Sequence, residues 1–515
     1  MYYTTASWIV RLALVAPLLC AMRASAQSLI EDRKVTASDA GAGYQFGNAV
    51  ALYETTAIIG SYQDDDAAQD AGSAYLFDIN TGQQLFKLIA SDAAMDDDFG
   101  ISVAIHGTTA IVGAARDDDA GSTSGSAYLF DTTTGQQLFK LTASDAAADD
   151  FFGGSVAIFG TTAVVGAFGN DDAGDSSGSA YVFDTTTGQE LFKLTASDAA
   201  ELDQFGVSVA ISGNTAIIGA SGDGGFAGAA YLFDTTTGQQ LFKLQASDDA
   251  PDSSFGDAVA IFANRAIVGA YRNDDAGSNS GSAYIFDTSI GQQLFKLSPP
   301  DAESNDNFGN AVSISGTTAM VGSVRDDDAG TGSGSAYLFD TSTGLQLSKL
   351  AASDGATGDQ FGNSVAIFGT NAIVGANGND DAGLDSGSAY IYSNGPMVLQ
   401  QPRNAIVTNG ETASFEFLLN SGDVTYQWYR DGVELTDDDH ISGAQTAMLQ
   451  IITSLSDVGV YECLATNLQG SISSNSVLLA VREDPNACEA DLNDDGLLNF
   501  FDVSAFLNAY NAGCP

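Results

Sequence analysis

Residues 99–141 read FGISVAIHGTTAIVGAARDDDAGSTSGSAYLFDTTTGQQLFKL, and this stretch is the unit from which most of the 515-residue chain is built. Its Phe-Gly start recurs seven times, at intervals of 53 residues except for one interval of 50. The starts are Phe46, Phe99, Phe152, Phe205, Phe255, Phe308 and Phe361. A fixed period of this length is the signature of a repeat architecture.

Each copy contains four short segments with the composition of β-strands. In the second copy they span 101–105, 109–114, 126–131 and 136–141, rich in β-branched or aromatic residues and bounded by Gly, Asp, Thr or Ser. Four strands repeated seven times, with no helical segment between them, predict an all-β fold and a seven-bladed β-propeller. A β-solenoid is the alternative, although its repeats are usually shorter.

The two ends of the array favour a closed ring. The seventh copy lacks the fourth segment, and residues 33–39 precede Phe46 with the same offset by which residues 139–145 precede Phe152. An N-terminal strand that completes the last blade would pair strand edges that are otherwise exposed. We therefore predict that the N-terminal segment closes the ring.

The chain begins with the features of an export signal. Within residues 1–26, Arg11 precedes an apolar run and Ala24-Ser25-Ala26 offers a small-residue cleavage site. That run is too short to cross a bilayer comfortably, and no later stretch reaches transmembrane length. We expect a secreted or cell-surface protein. Its further units are the propeller at 27–395, a β-sandwich at 396–482 and a small module at 483–515.

The chain is strongly acidic, with a formal net charge of −49. This charge argues against nucleic acid or anionic lipid as a partner, because both need a basic surface. The acidic residues lie in two kinds of connection: between the second and third strands, and between the fourth strand and the first strand of the following repeat. In a propeller of this strand order both kinds of connection lie on one face. We expect one negative face and one Thr/Gly-rich face. A merely solvated acidic surface is the simpler explanation of the charge.

All lysines of the chain occupy one repeat position in the fourth, outermost strand. There a lysine discourages pairing between sheet edges, so we interpret these residues as solubility features. They are Lys34, Lys87, Lys140, Lys193, Lys243, Lys296 and Lys349.

The Phe-Gly start, the Gly113-Ala114 core and the GSAYLFD strand resemble FG-GAP repeats, over about residues 44–395. Such repeats build the seven-bladed propeller of integrin α-subunits and of many bacterial surface proteins. The integrin-type DxDxDG calcium loop is missing here, because the connection between the first two strands is too short. Acidic triplets in the other loop could hold a hard cation or form a solvated turn. The candidate residues are Asp64, Asp65, Asp66, Asp117, Asp118, Asp119, Asp326, Asp327 and Asp328.

The fourth copy is three residues shorter, and residues 221–226 (SGDGGF) replace its acidic loop. This break in symmetry indicates either a ligand site with Phe226 as an exposed aromatic residue or a simple loop deletion.

Residues 396–482 have strand-like segments and resemble an immunoglobulin-like domain. Trp428 takes the core position, and Tyr461, two residues before Cys463, takes the tyrosine-corner position. Phe417 stands where the family places the partner cysteine. We therefore expect Cys463 to be a buried free thiol.

The C-terminal module carries the most specific chemical motif. Residues 491–502 (DLNDDGLLNFFD) match a twelve-residue calcium loop, with Gly496 at the sharp turn. The predicted ligands of Ca²⁺ are Asp491, Asn493, Asp495, the carbonyl of Leu497, Asn499 and Asp502. Cys488 and Cys514 bracket the module, and in an exported chain they are expected to form a disulfide.

This motif and the ending Gly513-Cys514-Pro515 are similar to the single-repeat, GC-type dockerin-like termini of secreted proteins. The resemblance implies an attachment or sorting tag with a cohesin-like or cell-wall partner. A typical dockerin has two such repeats, whereas this chain has one.

Together these features predict an exported, non-catalytic binding or adhesion protein whose propeller presents a face to a protein or polysaccharide. The two histidines, His106 and His440, lie far apart in sequence, and no Ser-His-Asp or Cys-His set can be assembled. The alternatives are a polysaccharide lyase or hydrolase with a propeller catalytic domain and a purely structural envelope component.

Overall fold

The structure, a computed structural model, describes residues 29–248, 251–393, 398–419, 424–467 and 470–482. The predicted signal peptide, the calcium loop and the Cys488–Cys514 pair lie outside the described residues. No helix in the described part of the chain is long and apolar enough to cross a membrane.

The repeats form a β-propeller of seven four-stranded antiparallel sheets, the blades, which confirms the predicted fold. The chain enters through β1 (Ile30–Val35). Blade 1 contains β2 (Val50–Tyr53), β3 (Thr56–Ser61), β4 (Ser73–Asp78) and β5 (Gln83–Leu88); blade 2 contains β6 (Phe99–His106), β7 (Thr109–Ala114), β8 (Ser126–Asp131) and β9 (Gln137–Leu141); blade 3 contains β10 (Ser155–Phe159), β11 (Thr162–Ala167), β12 (Ser179–Asp184) and β13 (Gln189–Leu194).

The next three blades repeat this order, and a short helix interrupts only the fourth. Blade 4 contains β14 (Phe205–Ser212), β15 (Thr215–Ala220), α1 (Asp223–Phe226), β16 (Ala229–Asp234) and β17 (Gln239–Leu244); blade 5 contains β18 (Val259–Phe262), β19 (Arg265–Ala270), β20 (Ser282–Asp287) and β21 (Gln292–Leu297); blade 6 contains β22 (Phe308–Ser315), β23 (Thr318–Ser323), β24 (Ser335–Asp340) and β25 (Gln346–Leu350).

Blade 7 is assembled from both ends of the propeller. It contains β26 (Phe361–Phe368), β27 (Asn371–Ala376) and β28 (Ser388–Ser393), and β1 pairs antiparallel with β28. The Ser364 hydroxyl of this blade donates to the Gly47 carbonyl of blade 1 at 2.7 Å, as Ser102 of blade 2 donates to Gly153 of blade 3. Blade 7 therefore meets blade 1 as blade 2 meets blade 3. The predicted closure of the ring by the N-terminal segment is confirmed.

The Phe-Gly start is a packing device. In blade 2, Phe99 is fully buried, and its ring packs edge-on against Tyr128 at 5.5 Å and Phe130 at 5.8 Å between centroids. Gly100 has a φ of +97°, and a Cβ there would lie 2.3 Å from the Ser73 carbonyl of the preceding blade. The two middle strands of each blade are almost wholly buried because neighbouring blades cover both faces of the sheet.

The following strands form an immunoglobulin-like domain. A six-stranded sheet has the order β30-β39-β37-β33-β34 with β38 on β37, a three-stranded sheet has the order β31-β36-β35, and β29 pairs with β32. The elements are β29 (Val398–Gln400), β30 (Ala405–Thr408), β31 (Thr412–Glu416), β32 (Leu418–Leu419), β33 (Thr425–Arg430), β34 (Val433–Glu434), β35 (Ile441–Ser442), β36 (Met448–Ile452), a 3-10 helix (Leu455–Asp457), β37 (Gly459–Asn467), β38 (Gly470–Ser473) and β39 (Val477–Arg482).

The core of this domain agrees with the sequence-based expectation. Trp428, Phe417 and Cys463 are fully buried, and Tyr461 donates its hydroxyl to the Asp457 carbonyl at 2.8 Å, which is the tyrosine-corner contact. Cys463 is a free thiol, and burial raises its pKa to about 12. At ordinary pH it is therefore a protonated, inert part of the core.

Candidate functional site

The acidic face is built from one lysine-centred cluster per blade. In blade 2 the Lys140 ammonium lies 2.7 Å from Asp92, 2.9 Å from Asp117 and 2.5 Å from Asp119. Its Nζ also lies 5.3 Å from the centroid of the Tyr128 ring, whose hydroxyl donates to Asp117 at 2.7 Å. Three carboxylates, one ammonium and one phenol therefore share one site.

The other blades repeat the arrangement with the remaining six lysines. One acidic partner comes from the connection before the blade's first strand and the other partners come from the loop between its second and third strands, so both connections do lie on one face. The clusters of blades 1, 3, 4, 5, 6 and 7 are Lys87 with Asp39, Asp64 and Asp66; Lys193 with Asp145, Asn170 and Asp172; Lys243 with Asp198 and Asp223; Lys296 with Asp248, Asn273 and Asp275; Lys349 with Asp301, Asp326 and Asp328; and Lys34 with Asp354, Asn379 and Asp381.

These contacts correct our interpretation of the lysines. Their side chains are only 16–25 % exposed, and each ammonium is held by two or three acidic or amide side chains. A charge neutralised inside a cluster does not protect a sheet edge. The sequence analysis correctly placed each lysine in the outermost strand of its blade. The side chain, however, is directed to the aspartates of the cluster and not to the exposed sheet edge.

The acidic triplets divide into two roles. The first and third residues face the lysine, together with one aspartate from the preceding connection, and one oxygen from each lies within 4.8 Å of the others in blades 1, 2 and 6. The middle residues, Asp65, Asp118 and Asp327, accept a backbone N–H five residues later in the same loop. A cation at these carboxylates would compete with the lysine, so cation binding stays a prediction.

The cluster reshapes the titration of its aspartates. Burial alone would raise the pKa of Asp117, but hydrogen bonds from Lys140 and Tyr128 outweigh it and hold that pKa below its usual range. The pKa of Asp326 is lowered in the same way, by Lys349 and Tyr337 against the effect of burial. The pKa of Lys140 is raised, since its carboxylate partners outweigh desolvation.

A second set of aspartates on this face has the opposite behaviour. Burial raises the pKa of Asp97 and of Asp306 to about 6, although each accepts a backbone N–H from a residue three positions earlier. Neither forms an ion pair with any residue that the structure describes. The face therefore carries firmly ionised aspartates and readily protonated ones side by side.

Blade 4 keeps its cluster despite the short loop. Asp223, at the start of α1, takes the place of the loop aspartates: it contacts Lys243 at 2.6 Å and accepts the Tyr231 hydroxyl at 2.6 Å. Phe226 is 40 % exposed, which is compatible with either interpretation of this loop. The deletion thus preserves the cluster and changes only what surrounds it.

The opposite face carries the Thr/Gly turns. Those between first and second strands and those between third and fourth strands meet there, and together they line a groove of about 620 Å³ between blades 2 and 3. His106, at the end of the innermost strand of blade 2, is one of the residues that line it. Its ring belongs to a row of aromatic side chains at the ends of the innermost strands, and the sequence analysis did not identify this row.

A comparison of the seven copies could have found this row. The last residue before the first turn is Tyr53, His106, Phe159, Ser212, Phe262, Ser315 or Phe368 in successive blades. His440, by contrast, lies in the immunoglobulin-like domain, where its ring contacts Asp438 and Asp457. The two histidines are thus parts of different structures.

Comparison with known proteins agrees with this architecture. The FG-GAP repeat model matches residues 30–77, 83–130, 136–183, 189–233, 239–286, 292–339 and 345–392, and the immunoglobulin domain model matches residues 396–467. Each FG-GAP match begins in the outermost strand of one blade and ends in the third strand of the next. The first match therefore begins with β1.

Individual relatives cover only short parts of the chain. Contactin-4 of Homo sapiens is 39% identical over 62 residues, which are 12% of this chain and 6% of that protein. The striated muscle preferentially expressed protein kinase of Danio rerio is 29% identical over 106 residues, 19% of this chain and 4% of that protein.

Among solved structures, titin M4 matches at 27% identity with a TM-score of 0.16, covering 17% of this chain and 94% of that one. Domain D1 of Duf (Kirre) matches at 19% identity with a TM-score of 0.16, covering 18% of this chain and 99% of that one. The seven repeat matches together cover more than half of the chain. This chain belongs to the FG-GAP repeat family.

Proposed function

We propose that this protein is an exported, non-catalytic adhesion or binding protein whose propeller presents one of its faces to a protein or polysaccharide at the cell surface. The observation that carries the proposal is the closed ring of seven FG-GAP repeats followed by an immunoglobulin-like domain. Modules of both kinds are typically binding modules of extracellular proteins. The ring closed by β1 supplies a rigid platform with two chemically different faces.

The parts outside the propeller serve export and attachment in this proposal. Residues 1–26 direct export, the domain at 396–482 acts as a spacer or second adhesive unit, and residues 483–515 bind Ca²⁺ and dock to a cohesin-like or cell-wall partner. Support for the last step is the spacing of oxygen-bearing residues in 491–502 and the two cysteines that flank them.

A role as a binding platform is supported by the rigid ring, and the acidic groups considered below are held in ion pairs. The Asp92, Asp117 and Asp119 carboxylates are held by the same ammonium, and the thiol of Cys463 is buried and protonated. A catalytic group needs a site where a substrate can approach it. The Asp92–Asp117–Asp119 cluster and the Cys463 thiol therefore do not favour a polysaccharide-degrading activity.

The test is retention of ligands from cell-envelope extract by the immobilised full-length protein, with and without calcium, beside incubation with polysaccharides. Selective, saturable retention supports a binding protein. Release of oligosaccharides would identify an enzyme instead. If neither retention nor release is observed, a purely structural role is favoured.

Asp491→Ala with Asp495→Ala should abolish calcium binding by the C-terminal module. Calorimetry that finds the affinity unchanged would place the metal elsewhere.

A further inference from the structure

Aromatic rings form a continuous arc on the Thr/Gly face of the propeller. The ring centroid of Tyr53 lies 4.8 Å from that of Phe368 and 4.6 Å from that of His106, and His106 lies 4.6 Å from Phe159. These four residues, the aromatic arc, end the innermost strands of blades 7, 1, 2 and 3. The arc is confined to one side of the ring, because blades 4 and 6 carry serine at the same position.

The groove between blades 2 and 3 starts at the arc. His106 lies at its inner end, and its walls combine threonine side chains with one carboxylate and one aromatic ring. These side chains belong to Thr108, Thr161, Thr185, Thr186, Asp131 and Phe139. No lysine or arginine lines the groove among the residues that the structure describes.

The hydrogen bonding of His106 leaves one donor available to a ligand. The Gly160 N–H donates to His106 Nδ1 at 3.2 Å, so the proton of the neutral ring is on Nε2. Burial lowers the pKa of His106, which favours this neutral form. Within the described part of the chain, Nε2 contacts no acceptor, and His106 is one of the residues that line the groove.

The second oxygen of Asp131 is also free to accept. Oδ1 accepts from the backbone N–H of Thr133 and of Thr134, which fixes the turn between β8 and β9. No described donor reaches Oδ2. The groove therefore offers an N–H donor, a carboxylate acceptor and threonine hydroxyls beside aromatic rings.

We propose that the aromatic arc and the adjoining groove bind a neutral oligosaccharide chain. The C–H face of a pyranose packs against aromatic rings, while its hydroxyls exchange hydrogen bonds with hydroxyl, carboxylate and imidazole groups. A strongly anionic ligand is disfavoured by Asp131 and the lack of cations in the lining. This inference rests on the proposed binding function and assigns it a face and a ligand class.

The matched variants use residues that the protein already accepts at this repeat position. In His106→Ser the new hydroxyl can keep the bond to the next blade, since the Ser212 and Ser315 hydroxyls accept the N–H groups of Ala263 and Gly369, each at 3.0 Å. The variant therefore removes the ring and the Nε2–H donor without removing the contact between blades. Phe262→Ser is the control: it removes a 41 % exposed ring on blade 5, outside the arc.

The experiment is a neutral-glycan array followed by calorimetry with the full-length protein. The calorimetric probes are cellohexaose, mannohexaose and laminarihexaose, or whichever neutral oligosaccharide the array retains. We expect His106→Ser to weaken binding about tenfold or more, which corresponds to the loss of one aromatic contact and one hydrogen bond, and Phe262→Ser to leave it unchanged. Melting temperatures of both variants equal to that of the parent protein show that folding is intact.

Three outcomes would overturn this inference. Neutral oligosaccharides that bind with equal affinity to both variants would place the sugar elsewhere on the protein. Saturable binding of only an envelope protein or an acidic polysaccharide would retain the proposed function and reject the ligand class. Binding of nothing in either assay would reject the proposed function together with the inference.

Discussion

The lysines at the same repeat position of blades 2 and 3 lie in two different chemical environments. In blade 2 the buried partner of Lys140 is the carboxylate of Asp117, whose side chain is 5 % exposed. In blade 3 the corresponding partner of Lys193 is the neutral amide of Asn170, also buried. Aspartate occupies this position in blades 1, 2, 4 and 6, at Asp64, Asp117, Asp223 and Asp326, and asparagine occupies it in blades 3, 5 and 7, at Asn170, Asn273 and Asn379.

The single difference between carboxylate and amide redirects the neighbouring hydroxyls. In blade 3, Asn170 Oδ1 accepts the Ser179 hydroxyl at 2.9 Å, and Tyr181 donates instead to the more exposed Asp145 at 2.8 Å. In blade 2, Asp117 takes the Tyr128 hydroxyl, and the hydroxyl of Ser126 is buried without a partner.

The same division holds throughout the ring. The serine equivalent to Ser126 is also unpartnered in the other three-aspartate blades, at Ser73 and Ser335, and is bonded in the other asparagine blades, at Ser282 and Ser388. Blade 4, which has Asp223, carries Ala229 there. The comparison shows that near-identical repeats differ in where they bury charge and where they leave a polar atom unsatisfied.

The largest difference in stability between the two environments is expected when the lysine is removed. Lys140→Ala leaves Asp117 buried without its counter-ion and is expected to lower the free energy of unfolding by about 3 kcal/mol. Lys193→Ala loses ion pairs only with the exposed Asp145 and Asp172, together with the hydrogen bond to the neutral Asn170 amide, which should cost about 1 kcal/mol. Denaturant unfolding of both variants measures the difference, and equal losses would show that the buried carboxylate is not the deciding group.

Replacing the equivalent serines by alanine should change the free energy of unfolding differently in the two blades. Ser179→Ala removes a bonded hydroxyl and is expected to cost about 1 kcal/mol, because the buried Asn170 oxygen loses one of its donors. Ser126→Ala removes a buried, unpartnered hydroxyl and should cost nothing or stabilise by up to about 1 kcal/mol. The same unfolding assay applies. A loss in Ser126→Ala as large as that in Ser179→Ala would mean that its hydroxyl has a partner.

The pH dependence of stability should show both kinds of aspartate. Asp97 and Asp306, with pKa values of about 6 in the folded protein, bind protons more readily folded than unfolded, so stability should rise as pH falls from 7 toward 5. Asp117 and Asp326 have lowered pKa values, so their contribution is present above about pH 4 and is lost below it.

Melting temperatures across this range should therefore pass through a maximum between about pH 4 and 6. Asp117→Asn with Asp326→Asn, which copies the asparagine blades, should flatten the acid limb. It should also weaken the limb above pH 5, because the charges of Asp117 and Asp326 help to raise the pKa values of Asp97 and Asp306. An acid limb as steep as in the parent protein would contradict the assignment to these two aspartates.

The smallest expected effect is a difference between the two lysine variants in how much calcium stabilises them. With the ammonium removed in Lys140→Ala, three carboxylates remain close enough to hold a hard cation, whereas Lys193→Ala leaves two carboxylates and an amide. Millimolar calcium should stabilise the first variant more than the second, by about 1 kcal/mol or less. Calcium titration followed by thermal unfolding measures it. An equal effect on both variants would argue against cation binding by the acidic triplets.

Much of the fold was predictable because its signals are local and repeated. The Phe-Gly start, two apolar strands and a GSAYLFD strand recur in every copy, so noise in one copy is averaged over seven. The ring closure was predictable from Lys34, because it sits at the same repeat offset as the other lysines. The resemblance of Trp428, Tyr461 and Cys463 to the immunoglobulin-like pattern likewise predicted the core of the second domain.

The surroundings of the lysines were not predictable from local pattern. Lys140 meets Asp92 and Asp117 from positions 48 and 23 residues earlier in the chain, brought together only when the sheet and the preceding connection fold. The same holds for the aromatic arc: His106 and Phe159 are 53 positions apart and touch only because adjacent blades bring their innermost strands together.

By itself, the sequence determined the number of blades, the order of their strands, the closing segment and which connections share a face, since period and hydrophobic pattern are written along the chain. Only the tertiary structure decided that the lysines point into the acidic clusters, that asparagine and aspartate blades distribute their hydrogen bonds differently, and that aromatic rings line one side of the opposite face. The physical reason is that charge pairing and ring stacking act between groups close in space, and closing the ring makes distant repeats neighbours.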